Sequence, residues 1–134
     1  PGRFETVDES RENFKKNGLE ISAKKIVKTW FIKGENAKYF NVCIKAAKQT
    51  TISAVDNSLI AFKGWNSEDF LRKIKNDTLI IWGDQDKSYS ADQINILKKN
   101  ILNSSLYIFK DCAHNVHLEK TDEFNNIIKD FLNS

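Results

Sequence analysis

Three side chains have the types and spacing for proton-transfer chemistry: Asp84, Asp86 and His114. The two aspartates stand in "WGDQDKSY", residues 82–89, directly behind the apolar run Thr78-Leu79-Ile80-Ile81-Trp82. His114 follows a second run, Leu106 to Phe109, at a similar distance. A carboxylate bonded to an imidazole fixes its tautomer and stabilises its charged form, which is the orienting half of a nucleophilic triad. Aspartates that end a strand are by themselves ordinary turn residues. A histidine at the matching place on the next strand favours catalysis over turn formation. Spacing alone does not choose between Asp84 and Asp86.

The pairing requires two neighbouring parallel strands, and the sequence from residue 76 onward provides for them. Thr78 to Trp82 is continuously apolar, the pattern of a strand covered on both faces. Ser90-Ala91-Asp92-Gln93 matches a capping box. The helix it opens carries Ile94, Leu97 and Ile101 on one stripe. Asn103-Ser104 turns the chain into the second strand. Thr121 is placed to cap a last helix with Phe124, Ile127, Ile128 and Phe131 inward. The order strand, helix, strand, helix predicts a right-handed parallel unit. Its sites form outside the carboxyl ends of strands about 4.8 Å apart.

Residues 1–75 read differently, as helices joined by short loops. Asp8 to Asn17 is a polar helix stopped at Asn17-Gly18. Ser22 is placed to cap a second helix with Ile26, Val27, Trp30 and Phe31 on one side. Glu35 to Lys48 predicts a third, with Phe40, Cys43, Ile44 and Ala47 on one stripe. Asp56 to Phe62 is ambiguous. Ser67 is placed to cap a short helix with Glu68 and Asp69 at its positive end. Trp30, Phe31, Trp65 and Val116 are the candidates for substrate contact, although aromatics at helical spacing commonly belong to a core.

The 134 residues suffice for one domain with a core. No apolar run reaches the roughly 18 residues of a membrane span, so no membrane partner is expected. The opening "PGRFETVDES" is too polar for a signal peptide. Two cysteines, Cys43 and Cys112, make no disulfide framework, which points to a reducing, cytoplasmic setting. A net charge of +3 is too small to argue for nucleic acid, and Lys24-Lys25 and Lys98-Lys99 read as solvated helix faces. Cys112, His114 and His117 lack the companion ligands of a zinc site, so no metal or other cofactor is expected. Cys112 as a nucleophile for His114 would need a strained turn within one loop.

"TLIIWGDQD" and "CAHNVHLEKTDEFNNIIKDFL" resemble the final segment of the α/β-hydrolase family. The resemblance covers residues 74–132. It maps the family's triad acid onto Asp86 of Gly83-Asp84-Gln85-Asp86 and its triad base onto His114, with His117, Leu118 and Glu119 behind it. Glu119 itself reads as a tie for the loop before the last helix. Residues 1–75 resemble a helical cap, most like that of oxoadipate enol-lactonases and related small esterases. Three positions depart from the family pattern: Ala113 stands where glycine is usual, and Asp77 and Thr121 where proline is common. The larger departure is the nucleophile. The glycines are Gly2, Gly18, Gly34, Gly64 and Gly83, so no two frame a Gly-x-Ser-x-Gly elbow.

The resemblance therefore implies a partial α/β-hydrolase fold: a helical cap over 1–75, then the C-terminal part of the core over 76–134. It implies hydrolysis of an ester, lactone or similar carbonyl bond, with nucleophile and oxyanion hole in a part preceding Pro1. The start at Pro1-Gly2 and the lack of methionine agree with a processed chain or a portion. The expected partners are a small ester or lactone and either that missing half or a second copy, through the exposed sheet. The alternative is a non-catalytic binding or assembly domain derived from the same fold.

Overall fold

The computed structural model describes residues 5–134; Pro1 and Gly2 lie outside them. The element order is α1 (Val7–Lys28), α2 (Phe40–Ala47), α3 (Ile52–Lys63), α4 (Glu68–Leu71), β1 (Thr78–Gly83), α5 (Ala91–Asn100), β2 (Ser104–Phe109), α6 (Val116–Glu119) and α7 (Thr121–Leu132). A 3-10 turn, Gly34–Asn36, lies between α1 and α2.

α1 is two helical stretches broken at Gly18, whose φ of +76° belongs to the region that favours glycine. The break is where Asn17-Gly18 placed it. The capping differs from expectation. Thr6 and Glu9 form a reciprocal capping box at the start of α1. Ser22 caps nothing: it is buried, and its hydroxyl donates to the Asn13 carbonyl across the break. The third helix begins at Phe40 rather than Glu35, after the 3-10 turn. The ambiguous stretch is the helix α3, capped by Thr51, whose side chain accepts from Ala54 N–H. Ser67 makes no side-chain cap; the Asn66 side chain accepts the Glu68 N–H instead. Thr121 is the first residue of α7, and its hydroxyl donates to the His117 carbonyl.

The helical half packs around Val27, Phe31 and Phe40, with Trp30, Tyr39 and Ile44 against them. Full burial of each such side chain stabilises the fold by about 1.5–3 kcal/mol. Arg11 holds Asp56 through Nε at 2.6 Å, so α1 and α3 are also joined by a charged pair. Leu118 of α6 packs into the same cluster and brings the end of the chain onto the helices.

β1 and β2 are parallel, in register from Thr78 opposite Ser104 to Gly83 opposite Phe109. Phe109, Cys112 and Val116 form the buried cluster of this half, flanked by Ile81, Phe124 and Ile127. β1 is less covered than its apolar run predicts. Only Ile80 and Gly83 are buried, because the sheet among the described residues has two strands and neither outer edge is paired. Among the described residues no helix is long and apolar enough to cross a membrane.

Candidate active site

Gly83 is where the two strand ends meet. A Cβ there would overlap the backbone carbonyl oxygens of Ala113 and Cys112. Only glycine lets the loop after β2 pass this close to the end of β1. Gln85 N–H then donates to the Cys112 carbonyl at 2.9 Å, which locks the two loops together.

The loop after β1 is folded back on itself. Asp86 N–H donates to the Gly83 carbonyl at 3.0 Å. Trp82 Nε1 donates to the Tyr89 carbonyl at 3.1 Å. Ser88 N–H donates to Asp86 Oδ1 at 2.6 Å, which fixes the carboxylate and turns its other oxygen outward. That oxygen, Oδ2, lies 3.0 Å from His114 Nδ1. The Asp86 side chain is 5% exposed and that of His114 is 31% exposed. Burial alone would raise the pKa of Asp86. The bonds from His114 and from the backbone of Ser88 and Tyr89 outweigh it and hold the carboxyl below its ordinary value. The pair therefore presents an ionised acid to Nδ1 and leaves Nε2 as the nitrogen available for proton transfer.

Asp84 is turned the other way. Its Oδ1 accepts Cys112 N–H at 3.4 Å, its Oδ2 lies 3.8 Å from Lys110 Nζ, and its own N–H donates to the Phe109 carbonyl. It closes the turn after β2 and does not touch His114. The structure thus separates two aspartates that spacing left equivalent.

Aromatic rings bracket the histidine. Tyr89 stacks on His114 with centroids 5.8 Å apart, and Trp30 lies tilted at 6.0 Å. A cavity of about 480 Å³ opens on Asp86 and His114, walled by Trp65, Ile80, Trp82, Tyr89, Leu97 and Val116 among others. Of the four residues expected to contact substrate, Trp65 and Val116 line this cavity. Trp30 reaches the His114 ring from outside it. Phe31 does not reach the site, because it is 4% exposed inside the helical cluster. Tyr89 was not singled out from the sequence, although its place three residues beyond Asp86 in the same loop is a signal for it.

His117 faces away, against Phe124 at 5.9 Å. Cys112, His114 and His117 are therefore not gathered into a ligand set, and among the described residues no cluster of three or more metal-binding side chains occurs. The Cys112 thiol is fully buried. Burial, then the Glu119 carboxylate, push its pKa up to about 12, which keeps it protonated and unfit as a nucleophile. Glu119 accepts from Ala113 N–H at 2.7 Å, so it does hold the histidine loop.

Comparison with known proteins agrees with this architecture. Residues 4–121 match the family model described as alpha/beta hydrolase fold. A segment of 62 residues is 40% identical to the 2-hydroxy-6-oxononadienedioate/2-hydroxy-6-oxononatrienedioate hydrolase of Escherichia coli O139:H28, covering 46% of this chain and 22% of that protein. The esterase EaEST from Exiguobacterium antarcticum superposes with a TM-score of 0.87 at 23% identity, over 96% of this chain and 47% of that one. The enol-lactonase from Burkholderia xenovorans LB400 superposes with a TM-score of 0.84 at 18% identity, over 99% of this chain and 53% of that one. The chain spans about half the length of these two solved structures, and its matched segment about a fifth of the Escherichia coli hydrolase. With a family model matched over most of its length and a parallel strand pair that carries this topology, the chain belongs to the α/β-hydrolase fold family.

Proposed function

We propose that the chain is the C-terminal portion of a serine-type α/β-hydrolase, with residues 1–75 as cap and 76–134 as the end of the core. In it, His114 is the general base and acid, and Asp86 orients it. The single observation that carries this reading is the 3.0 Å contact between Asp86 Oδ2 and His114 Nδ1 at the carboxyl ends of two parallel strands. The nucleophile and oxyanion donors come from the part of the fold that this chain lacks. A serine hydroxyl presented to Nε2 gives up its proton as it attacks the carbonyl carbon. The imidazolium, held by the Asp86 carboxylate, then returns the proton to the leaving group.

The bond cleaved is an ester, lactone or similar carbonyl linkage. The cavity beside His114 is walled largely by apolar side chains, and among the described residues no lysine or arginine lines it, which favours a substrate with an uncharged apolar part. A second reading draws on the 62-residue match: the substrate is a 2-hydroxy-6-oxo acid of the kind named for that relative. The two differ in whether a charged or a neutral substrate is turned over faster.

The test is expression of the full reading frame that contains these residues, with and without His114→Ala. The proposal expects a Gly-x-Ser-x-Gly segment upstream and turnover of p-nitrophenyl esters that His114→Ala lowers by about a thousandfold or more. A reading frame without that segment, or turnover indifferent to His114, overturns it and leaves a binding or assembly domain.

A further inference from the structure

Glu119 spends its two carboxylate oxygens on backbone N–H groups from different halves of the chain. Oε2 accepts from Ala113, the residue before His114, at 2.7 Å. Oε1 accepts from Ile32, in the loop after α1, at 2.8 Å. A second link lies alongside: Asn115 N–H, just beyond His114, donates to the Trp30 carbonyl at 3.1 Å. The residues on either side of His114 are thus tied to the Trp30–Ile32 loop, one directly and one through Glu119. The same loop carries the indole that lies 6.0 Å from the His114 ring. Leu118, next to Glu119, is packed in the Val27–Phe31–Phe40 cluster, so the short helix α6 is anchored in the helical half.

We infer that Glu119 is a positioning residue: its carboxylate clamps the histidine loop to the loop after α1 and thereby sets where the Trp30 and His114 rings stand relative to Asp86. The clamp needs two acceptors on one short stem. A carboxylate provides them, whereas an amide has one acceptor oxygen and would turn donor hydrogens toward the other N–H. Bonds from N–H to an ionised acceptor are roughly twice as strong as neutral ones, and the N–H of Ala113, a buried residue, is costly to leave without a partner. Cys112 Sγ sits 3.6 Å from Oε2, so the same oxygen also meets the start of the histidine loop. A catalytic role for this position rests on reading His114 as the base; the coupling of the two loops is measurable without it.

The experiment is NMR on the product of the full reading frame that contains these residues, wild type against Glu119→Gln. It reads amide hydrogen exchange at Ile32 and Ala113 and the long-range proton–nitrogen spectrum of the His114 ring. In the wild type both amides, corrected for their intrinsic rates, should exchange at least about tenfold slower than in an unstructured peptide, because the carboxylate holds both. In Glu119→Gln at least one should exchange about tenfold faster or more. The His114 ring should lose its single tautomer held by Asp86, while α7 amides keep their protection. Faster amides with an unchanged His114 ring spectrum would reduce Glu119 to a strap between loops and overturn the inference. So would a wild-type Ile32 amide that exchanges at its intrinsic, unprotected rate. Should the variant lose α7 protection altogether, the wild-type comparison decides. Failure of ester turnover in the full reading frame would count against the proposed reaction and leave these spectra unchanged.

Discussion

The helical half and the strand half of this molecule satisfy their backbones by different means. Helices α1 to α4 bond within themselves; α1 and α2 close on Val27, Phe31 and Phe40, α3 lies against α1, and α4 lies against α5. Among the described residues, strands β1 and β2 pair with each other alone, and each keeps an unpaired edge. Yet the Asp86–His114 pair stands on the strand half. Asp86 and His114 both hang from strand ends, while the helical half contributes Trp30 and Ile32 to the frame around them. The half that carries the proposed catalytic pair is therefore the half whose strand edges are unpaired among the described residues.

The largest effect expected from this contrast is on assembly. Among the described residues β1 and β2 have no further strand on either side, and Ile108 on β2 is 41% exposed. The 134-residue chain should therefore self-associate, or be recovered with the part of the fold that completes its sheet. Sedimentation over a hundredfold range of concentration should show mass rising with concentration. A stable monomer throughout, with sharp cooperative unfolding, would place the two halves on an equal footing.

Gly83→Ala should come next in size. The new methyl meets the carbonyl oxygens of Cys112 and Ala113, which are backbone, and the Cys112 oxygen is also held by Gln85 N–H. A loss of about 3 kcal/mol in denaturant unfolding is expected, with the Asp86–His114 contact broken in whatever remains folded. Gly18→Ala, in the helical half, meets no atom within 4 Å and bears only the strain of its positive φ, so its loss should be the smaller. Equal losses would contradict the claim that the strand ends are the tighter junction.

These contrasts also mark what the sequence made legible. The strand–helix–strand–helix order, the parallel direction and the break at Gly18 follow from local pattern, and the structure has them. Helix starts were read less well: Ser22, Ser67 and Thr121 have capping side chains but spend them elsewhere or make no cap, because neighbouring residues reach the free N–H groups first or a packed segment offers a carbonyl. The run Thr78–Trp82 records burial that these residues alone do not supply. At the site, the sequence pattern brought Asp86 and His114 forward. Tyr89, the Gly83 contact and the reach of Glu119 to Ile32 depend on how two distant loops meet, which no local spacing encodes.

A smaller effect follows from the charge on Asp86. Its pKa in the folded chain lies below the ordinary 3.8, so the unfolded chain takes up the proton first. The stability it contributes is fully present above that value and is lost as pH falls through it toward the lower folded pKa. Urea midpoints measured from pH 7 down to pH 2 should therefore fall more steeply for the wild type than for Asp86→Asn. Parallel curves would mean that the pair adds nothing to folding.

The most direct measurement is the ester turnover of the full reading frame's product carrying Asp86→Asn or Asp84→Asn. With Asp86 holding His114 Nδ1 and Asp84 closing the turn after β2, Asp86→Asn should lower kcat by about 10³–10⁴, and Asp84→Asn should change it by less than about tenfold. A small loss at Asp86 with a large one at Asp84 would contradict the assignment of the acid, and losses at neither would place the chemistry outside this pair.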